Sequence, residues 1–310
     1  MHAAVGPLHD GTASPKKKRQ EASEKIIQGG MTMAISIQTN VSALNAQRNL
    51  QRTMGMLDSS LSKLSSGYRI TKAGDDAAGL GISENLKAQI RSTNQAQRNA
   101  FDGVSVIQTA EGALNEVSSI LIRMRELAMQ SSSDGLGNTE RNYLETEFDA
   151  LVSEIDRISQ ATEFNGQKLL NGSLSTTGLS FQVGIRNTSN DRISVTISSA
   201  TSSALGVDSG TLTIATAGAA QSALTAIDSA IQTVSSNRAS LGALGNRLNS
   251  TIANLSVASE NLSAANSRIR DVDVAQETST MTKAQILLQA GVSVLSQANA
   301  VPQVALSLLR

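Results

Sequence analysis

Leu241, Leu248, Leu255, Leu262 and Ile269 recur at every seventh position, and Leu244, Thr251, Ala258, Ala265 and Val272 follow three behind them. This sustained alternation predicts a coiled-coil seam over 241–272, with Thr251 its one polar member. The N-terminal half carries the same spacing. Leu50, Met54, Leu57, Leu61 and Leu64 form one run. Ile107, Ala110, Leu114, Val117, Leu121, Met124 and Ala128 form a second, and Leu144, Phe148, Leu151, Ile155 and Ile158 a third. A single helix from Glu84 to Gln130 would be roughly 70 Å long at 1.5 Å per residue, the dimension of a rod.

Between these halves the period changes. "GLSFQVGI" (178–185) and "DRISVTIS" (191–198) alternate apolar and polar residues as half-buried strands do, and the turn-rich "RNTSN" joins them into a β-hairpin. "SGTLTIATAG" (209–218) is expected to add a third strand, and helical patterning resumes near Ser222. The predicted fold is therefore mainly α: a long antiparallel helical coiled-coil rod with a small β-hairpin-containing tip. The termini come together at the far end.

That end is unusual. The chain finishes "VPQVALSLLR", with Leu306, Leu308 and Leu309 on an apolar stripe, facing the stripe of Val41, Leu44 and Leu50. Fully burying a large aliphatic side chain contributes roughly 1.5–3 kcal/mol, while ordering a residue costs about 1–2 kcal/mol of backbone entropy. A lone terminal helix pair is marginal on that balance. The ends are expected to be disordered in the monomer and to fold when copies pack together. Ala284 to Leu309 carries no charge, which imitates a membrane span, yet Gln285, Gln289, Ser293, Ser296, Gln297, Asn299, Gln303, Ser307 and Pro302 interrupt it. It reads as an amphipathic segment seeking a protein partner.

Composition narrows the chemistry. Of 310 residues, 2% are aromatic and none is Cys or Trp, so burial must come from aliphatic helix-on-helix seams. The net charge is zero, which gives no general attraction to nucleic acid or anionic membrane. Both histidines, His2 and His9, lie in the first ten residues. The remainder thus offers no Cys or His for a zinc site, a triad or an imidazole base. Neither catalysis nor a metal or cofactor is expected. "GDDAAGLGIS" (74–83) lacks the ending of a P-loop and the ligand spacing of an EF-hand. It reads as a turn before the long helix, with Ser83 as candidate N-cap. Residues 1–32, with "SPKKKRQEASEK", read as a disordered leader or a non-native extension, although "PKKKR" also suits an anion-binding or nuclear-localisation patch.

Several stretches resemble bacterial flagellin. "MAISIQTNVSALNAQRNL" from Met33, "LSKLSSGYRITKAGDDAAGLGISENLKAQIRSTNQAQRNAFDGVSVIQTAEGALNE" (61–116), "SEIDRISQATEFNGQKLLNG" (153–172) and "SRIRDVDVAQETSTMTKAQILLQAGVSVLSQAN" (267–299) match that family's conserved wording, as does the closing "ALSLLR". The resemblance implies a subunit of the flagellar filament, a helical homopolymer of self, exported by a type III apparatus with an export chaperone. It is assembled beneath a filament cap, next to hook-associated proteins. It divides the chain into an N-terminal assembly helix (33–75), the helical rod (76–171 and 222–270), a small β-rich central region (172–221) and a C-terminal assembly helix (271–310). It also implies recognition by host Toll-like receptor 5 and by cytosolic sensors. By analogy, Arg123, Leu127 and Glu147 pack against neighbouring protofilaments and contact the receptor. Val41, Leu44, Leu50, Leu288, Val292, Leu295, Leu306, Leu308 and Leu309 form the terminal assembly stripe, and the last three are candidates for the cytosolic sensors. A hook–filament junction protein and a stand-alone coiled-coil module are the alternatives. The module predicts a folded dimer with protease-resistant ends.

Overall fold

The computed structural model describes residues 39–308, with side chains through 301. Helices dominate. They are α1 (Val41–Ser66), α2 (Ala77–Ser131), α3 (Asn138–Ala161), the single turn α4 (Ser202–Leu205), α5 (Ala217–Arg270) and α6 (Val274–Leu308). Two small antiparallel hairpins pair β1 (Glu163–Phe164) with β2 (Gln167–Lys168), and β3 (Leu179–Gln182) with β4 (Arg192–Val195). The chain divides into two compact units. One is Tyr68–Asp271; the other joins the terminal segments up to Gly67 and from Val272 onward. This division falls earlier than the boundary at 75 drawn from the sequence.

In Tyr68–Asp271, α2 and α5 run antiparallel along their length. Arg270 meets Glu84, Ser259 meets Asn94, Leu248 approaches Gly103, and Asp228 meets Arg125. The predicted seam is the packed face of α5: Leu241 and Leu248 are buried, and Leu255, Leu262 and Ile269 are half-buried. Its partner is α2 of the same chain, whose Ile107, Ala110, Leu114, Val117, Leu121, Met124 and Ala128 are all buried. Glycine at 103 permits the approach, since a Cβ there would sit 3.1 Å from Leu248 Cδ1 and 3.3 Å from the Phe181 ring. Near its C-terminal end α2 also packs against α3, whose Phe148, Val152 and Ile155 complete the core.

Three local expectations need correction. The long helix begins at Ala77, capped by Asp76, whose Oδ1 accepts from Gly79 N–H at 2.8 Å. Ser83 is therefore buried inside the helix and is not its cap. Residues 209–216 form no strand. Ile214 is buried, but its main-chain groups are taken by side chains: its N–H donates to Glu145 Oε2 and its carbonyl accepts from Ser131 Oγ. The turn before it is held by Asp208 O, which accepts from Thr211 and Leu212 N–H. The β3–β4 hairpin is real but shorter than the alternation suggested, with Leu179 opposite Val195 and Gln182 opposite Arg192.

In the terminal unit α1 and α6 are also antiparallel, with Asn40 beside Ala298, Leu50 beside Gly291 and Lys63 beside Glu277. Among the described residues no helix is long and apolar enough to cross a membrane. The expectation of disorder at the chain ends falls, for 33–38 and 309–310, outside the described residues, as does the whole leader 1–32.

Candidate assembly surfaces

The terminal unit is built by caps and a narrow seam. Asn40 caps α1, its Oδ1 accepting from Ala43 N–H at 3.0 Å, while its Nδ2 donates to Ala298 O at 2.8 Å. At the other end Gly67 adopts φ 74, the left-handed turn that glycine tolerates, and its N–H donates to Lys63 O at 2.9 Å. The Gly67 carbonyl accepts from Val272 N–H at 3.0 Å, and Lys63 pairs with Glu277 at 3.9 Å. Asp273 Oδ1 accepts from the N–H groups of Ala275 and Gln276, which starts α6. Mid-seam, a Cβ on Gly291 would lie 2.9 Å from Leu50 Cδ1, so the two helices meet closely there.

This unit has almost no core. Among the described residues, Ala284 is its one buried apolar side chain, whereas Tyr68–Asp271 holds all the others. Leu50, Leu288 and Leu295 are half-buried in the seam. Val41, Leu44 and Val292 are half or more exposed, at 59%, 50% and 53%. A line missed by the sequence reading lies beside the seam. Leu287, Val294 and Val301 are spaced by sevens on α6 and are 44%, 57% and 50% exposed. On α1 the predicted run divides: Leu50, Leu57 and Leu64 are half-buried, whereas Met54 and Leu61, also spaced by seven, are 46% and 49% exposed. Two interleaved heptads, one covered and one not, would have been the signal. The side chains of Leu306 and Leu308, and all of Leu309, lie outside the described residues.

The second candidate surface lies on α2 and α3. Arg123 Nε and Nη2 donate to Glu147 Oε1 at 3.0 and 2.8 Å, and Nη1 donates to Glu126 Oε2 at 2.9 Å. These two carboxylates, Glu147 first, hold the guanidinium proton more firmly than usual. Ile122, Met129 and Tyr143 are exposed on the same pair of helices. Leu127, in contrast, is 0% exposed and belongs to the core. It cannot enter a partner's pocket; it supports the helix that carries Arg123. Farther along, Arg125 Nε binds Asp228 Oδ1 at 2.7 Å and lowers that carboxyl's pKa. Arg270 lies 4.6 Å over the Tyr68 ring and holds Glu84 below the ordinary carboxylate range. On α3, burial and the neighbouring Glu145 push Asp149 up, and its Oδ1 is buried without a hydrogen-bond partner.

Comparison with known proteins gives this arrangement a family. Residues 37–175 match the bacterial flagellin N-terminal helical region, and residues 224–309 match the bacterial flagellin C-terminal helical region. A flagellin of Halalkalibacterium halodurans is 49% identical over 274 residues, covering 88% of this chain and 99% of that protein. A Bacillus subtilis flagellin is 44% identical, again over 88% of this chain and 99% of that one. The flagellar filament 33 kDa core protein of Treponema phagedenis is 43% identical over the same shares. All of α2, α5 from residue 224 onward and both terminal helices fall within the matched residues, and the chain belongs to the bacterial flagellin family.

Proposed function

We propose that the chain is a structural subunit that polymerises into the flagellar filament and serves swimming motility. The observation that carries this reading is the contrast between the units. Tyr68–Asp271 has a filled core, while α1 and α6 leave Leu44, Met54, Leu61, Leu287, Val294 and Val301 open. Exposed apolar area of this kind marks an interaction surface. Its spacing suits further helices, and the likeness to a named filament core protein makes other copies of the chain the natural occupants. Catalysis has no part in this reading.

The same reading includes secretion through a type III apparatus, a chaperone that shields the C-terminal stripe before export, and growth under a cap beyond hook-associated proteins. Host Toll-like receptor 5 would touch the exposed Arg123 and Glu147, and cytosolic sensors would take Leu306, Leu308 and Leu309. Alanine at Arg123 that left receptor signalling unchanged would remove the first of these. The central test is polymerisation of the purified chain, with and without residues 304–310, under salting-out conditions, scored by sedimentation and electron microscopy. Filaments from the intact chain, lost on truncation, are expected. A protease-resistant dimer that never elongates would replace the filament reading with the coiled-coil module.

A further inference from the structure

The chain contains two Asn–Gly pairs close together, Asn165–Gly166 and Asn171–Gly172, whose asparagines are both exposed and which the fold treats in opposite ways. Glycine after asparagine leaves the following main-chain nitrogen unhindered, so that it can reach the asparagine side-chain carbon. Asn165 and Gly166 form the two-residue turn between β1 and β2, at φ 48 and φ 77, with Phe164 paired to Gln167 across it. Asn–Gly is the favoured sequence for that turn, which holds the backbone in one left-handed state. No hydrogen bond touches the Asn165 side chain among the described residues.

Asn171 is set up differently. Its Oδ1 accepts from Ser173 N–H at 3.1 Å and from Ser173 Oγ at 2.8 Å. The same hydroxyl stands farther, at 3.3 Å, from Lys168 O. The Gly172 carbonyl is anchored by Ser175 N–H and Oγ, at 3.2 and 2.7 Å, while among the described residues no acceptor is bonded to the Gly172 N–H. Two donors thus converge on the oxygen that becomes negative if a nucleophile adds to the Asn171 amide carbon. Donors aimed at developing charge lower such a barrier.

We propose that Asn171 is a self-modifying site, deamidated faster than Asn165 by this local oxyanion cradle. Gly172 N attacks Asn171 Cγ and passes its proton to solvent. The N–Cγ bond forms while Oδ1 carries the negative charge between the two Ser173 donors. The Cγ–Nδ2 bond then breaks, Nδ2 takes a proton from water, and ammonia leaves a succinimide. Water opens that ring at either carbonyl, giving aspartate or isoaspartate. The product adds one negative charge and, in the iso form, one extra main-chain carbon directly after Leu170. That position matters, because Leu169 and Leu170 are buried and Leu170 O is bound by Ala200 N–H and Ser159 Oγ at 2.9 and 2.8 Å. Copies that have been folded longest carry the change most.

The test is peptide mapping by mass spectrometry after timed incubation of the full chain in mildly alkaline buffer, with isoaspartate identified by fragmentation. In the folded chain Asn171 is expected to convert about three- to tenfold faster than Asn165, and Ser173→Ala to slow Asn171 by about threefold while Asn165 keeps its rate. Incubation in urea removes the fold from the comparison, and there the two sites should converge. Asn165 matching or outpacing Asn171 in the folded chain, or a rate ratio unchanged by urea, overturns the proposal. So does a Ser173→Ala chain whose Asn171 rate is unaltered.

Discussion

Replacing Leu287 and Val294 together by serine isolates the open line on α6. These side chains are 44% and 57% exposed in the lone chain, so about half of each remains to be covered. Fully burying such a residue contributes about 1.5–3 kcal/mol, which leaves about 1 kcal/mol apiece, or about 2 kcal/mol for the pair. Tenfold in an association constant is about 1.4 kcal/mol, so the critical concentration for polymerisation should rise about 30-fold. The assay is sedimentation of filaments against total protein. Two controls separate assembly from folding. Tyr68 and Tyr143 are the two tyrosines of a chain without tryptophan, and both lie in Tyr68–Asp271, so tyrosine fluorescence follows that unit alone and should be unchanged. Gln285→Ser with Gln289→Ser alters exposed polar side chains on the same helix and should leave the critical concentration nearly where it was. A shift in the Leu287/Val294 chain no larger than in the glutamine control would refute the reasoning.

Three further outcomes follow from the larger unit. Leu127→Ala should cost about 2–5 kcal/mol of its stability, as deletion from a filled core does, while Arg123→Ala should leave its denaturant midpoint nearly unmoved. Equal effects would return Leu127 to the surface. Gly103→Ala crowds Leu248 and the Phe181 ring, so alone it should cost about 1 kcal/mol after its gain in helix propensity; Leu248→Ala should relieve the crowding, making the double mutant at least about 1 kcal/mol better than the sum. Strict additivity in guanidinium titrations would contradict the close approach. Asp149→Asn should raise the unfolding temperature at neutral pH. Its folded carboxyl is pushed above the usual value, so ionisation costs stability that returns as pH falls through that raised pKa. The gain must therefore shrink in acid, and a gain that grows there would be inconsistent with the burial of its Oδ1.

Much of this was legible because heptads speak directly about which face is covered. The 241–269 leucines and the 107–128 run both lie on the α2–α5 seam, but at staggered heights: Gly103 lies against Leu248, Ile107 against Gly245, and Arg125 meets Asp228. Family analogy alone assigns Leu127 to a contact surface, and the heptad run, which names Ala128 but not Leu127, does not correct it. A heptad identifies one seam, whereas α2 meets α5 on one side and α3 on another near its end. Both Leu127 and Ala128 are buried there, so the covered arc is wider than the repeat. The start of α2 was missed for a local reason. Gly79 and Gly81 suggest a turn, yet a Cβ at Gly79 would lie 2.8 Å from Ile70 Cδ1, so that glycine serves packing inside a helix. The apparent third strand failed because Ile214 finds its main-chain partners in Glu145 and Ser131, long-range side chains that period-two alternation cannot reveal.

The geometry of the open lines bears on what kind of assembly they suit. An isologous dimer covers a patch with its own symmetric copy and then stops. The terminal unit instead presents two unlike surfaces. α6 offers Leu287, Val294 and Val301 on a stretch with no charge from Ala284 to Val301, while α1 offers Leu44, Met54 and Leu61 near Arg48, Arg52 and Asp58. If the α6 line of one copy covers the α1 line of the next, each copy still leaves one of each exposed. Such heterologous contacts end only in a closed ring or continue as a helix. The missing charges on α6 fit this role, since an ion carried into a dry helix interface would cost several kcal/mol unless paired. On the proposed filament reading, a helix pair with one buried apolar side chain among the described residues would gain its remaining burial by such repetition, whereas the larger unit already has a filled core.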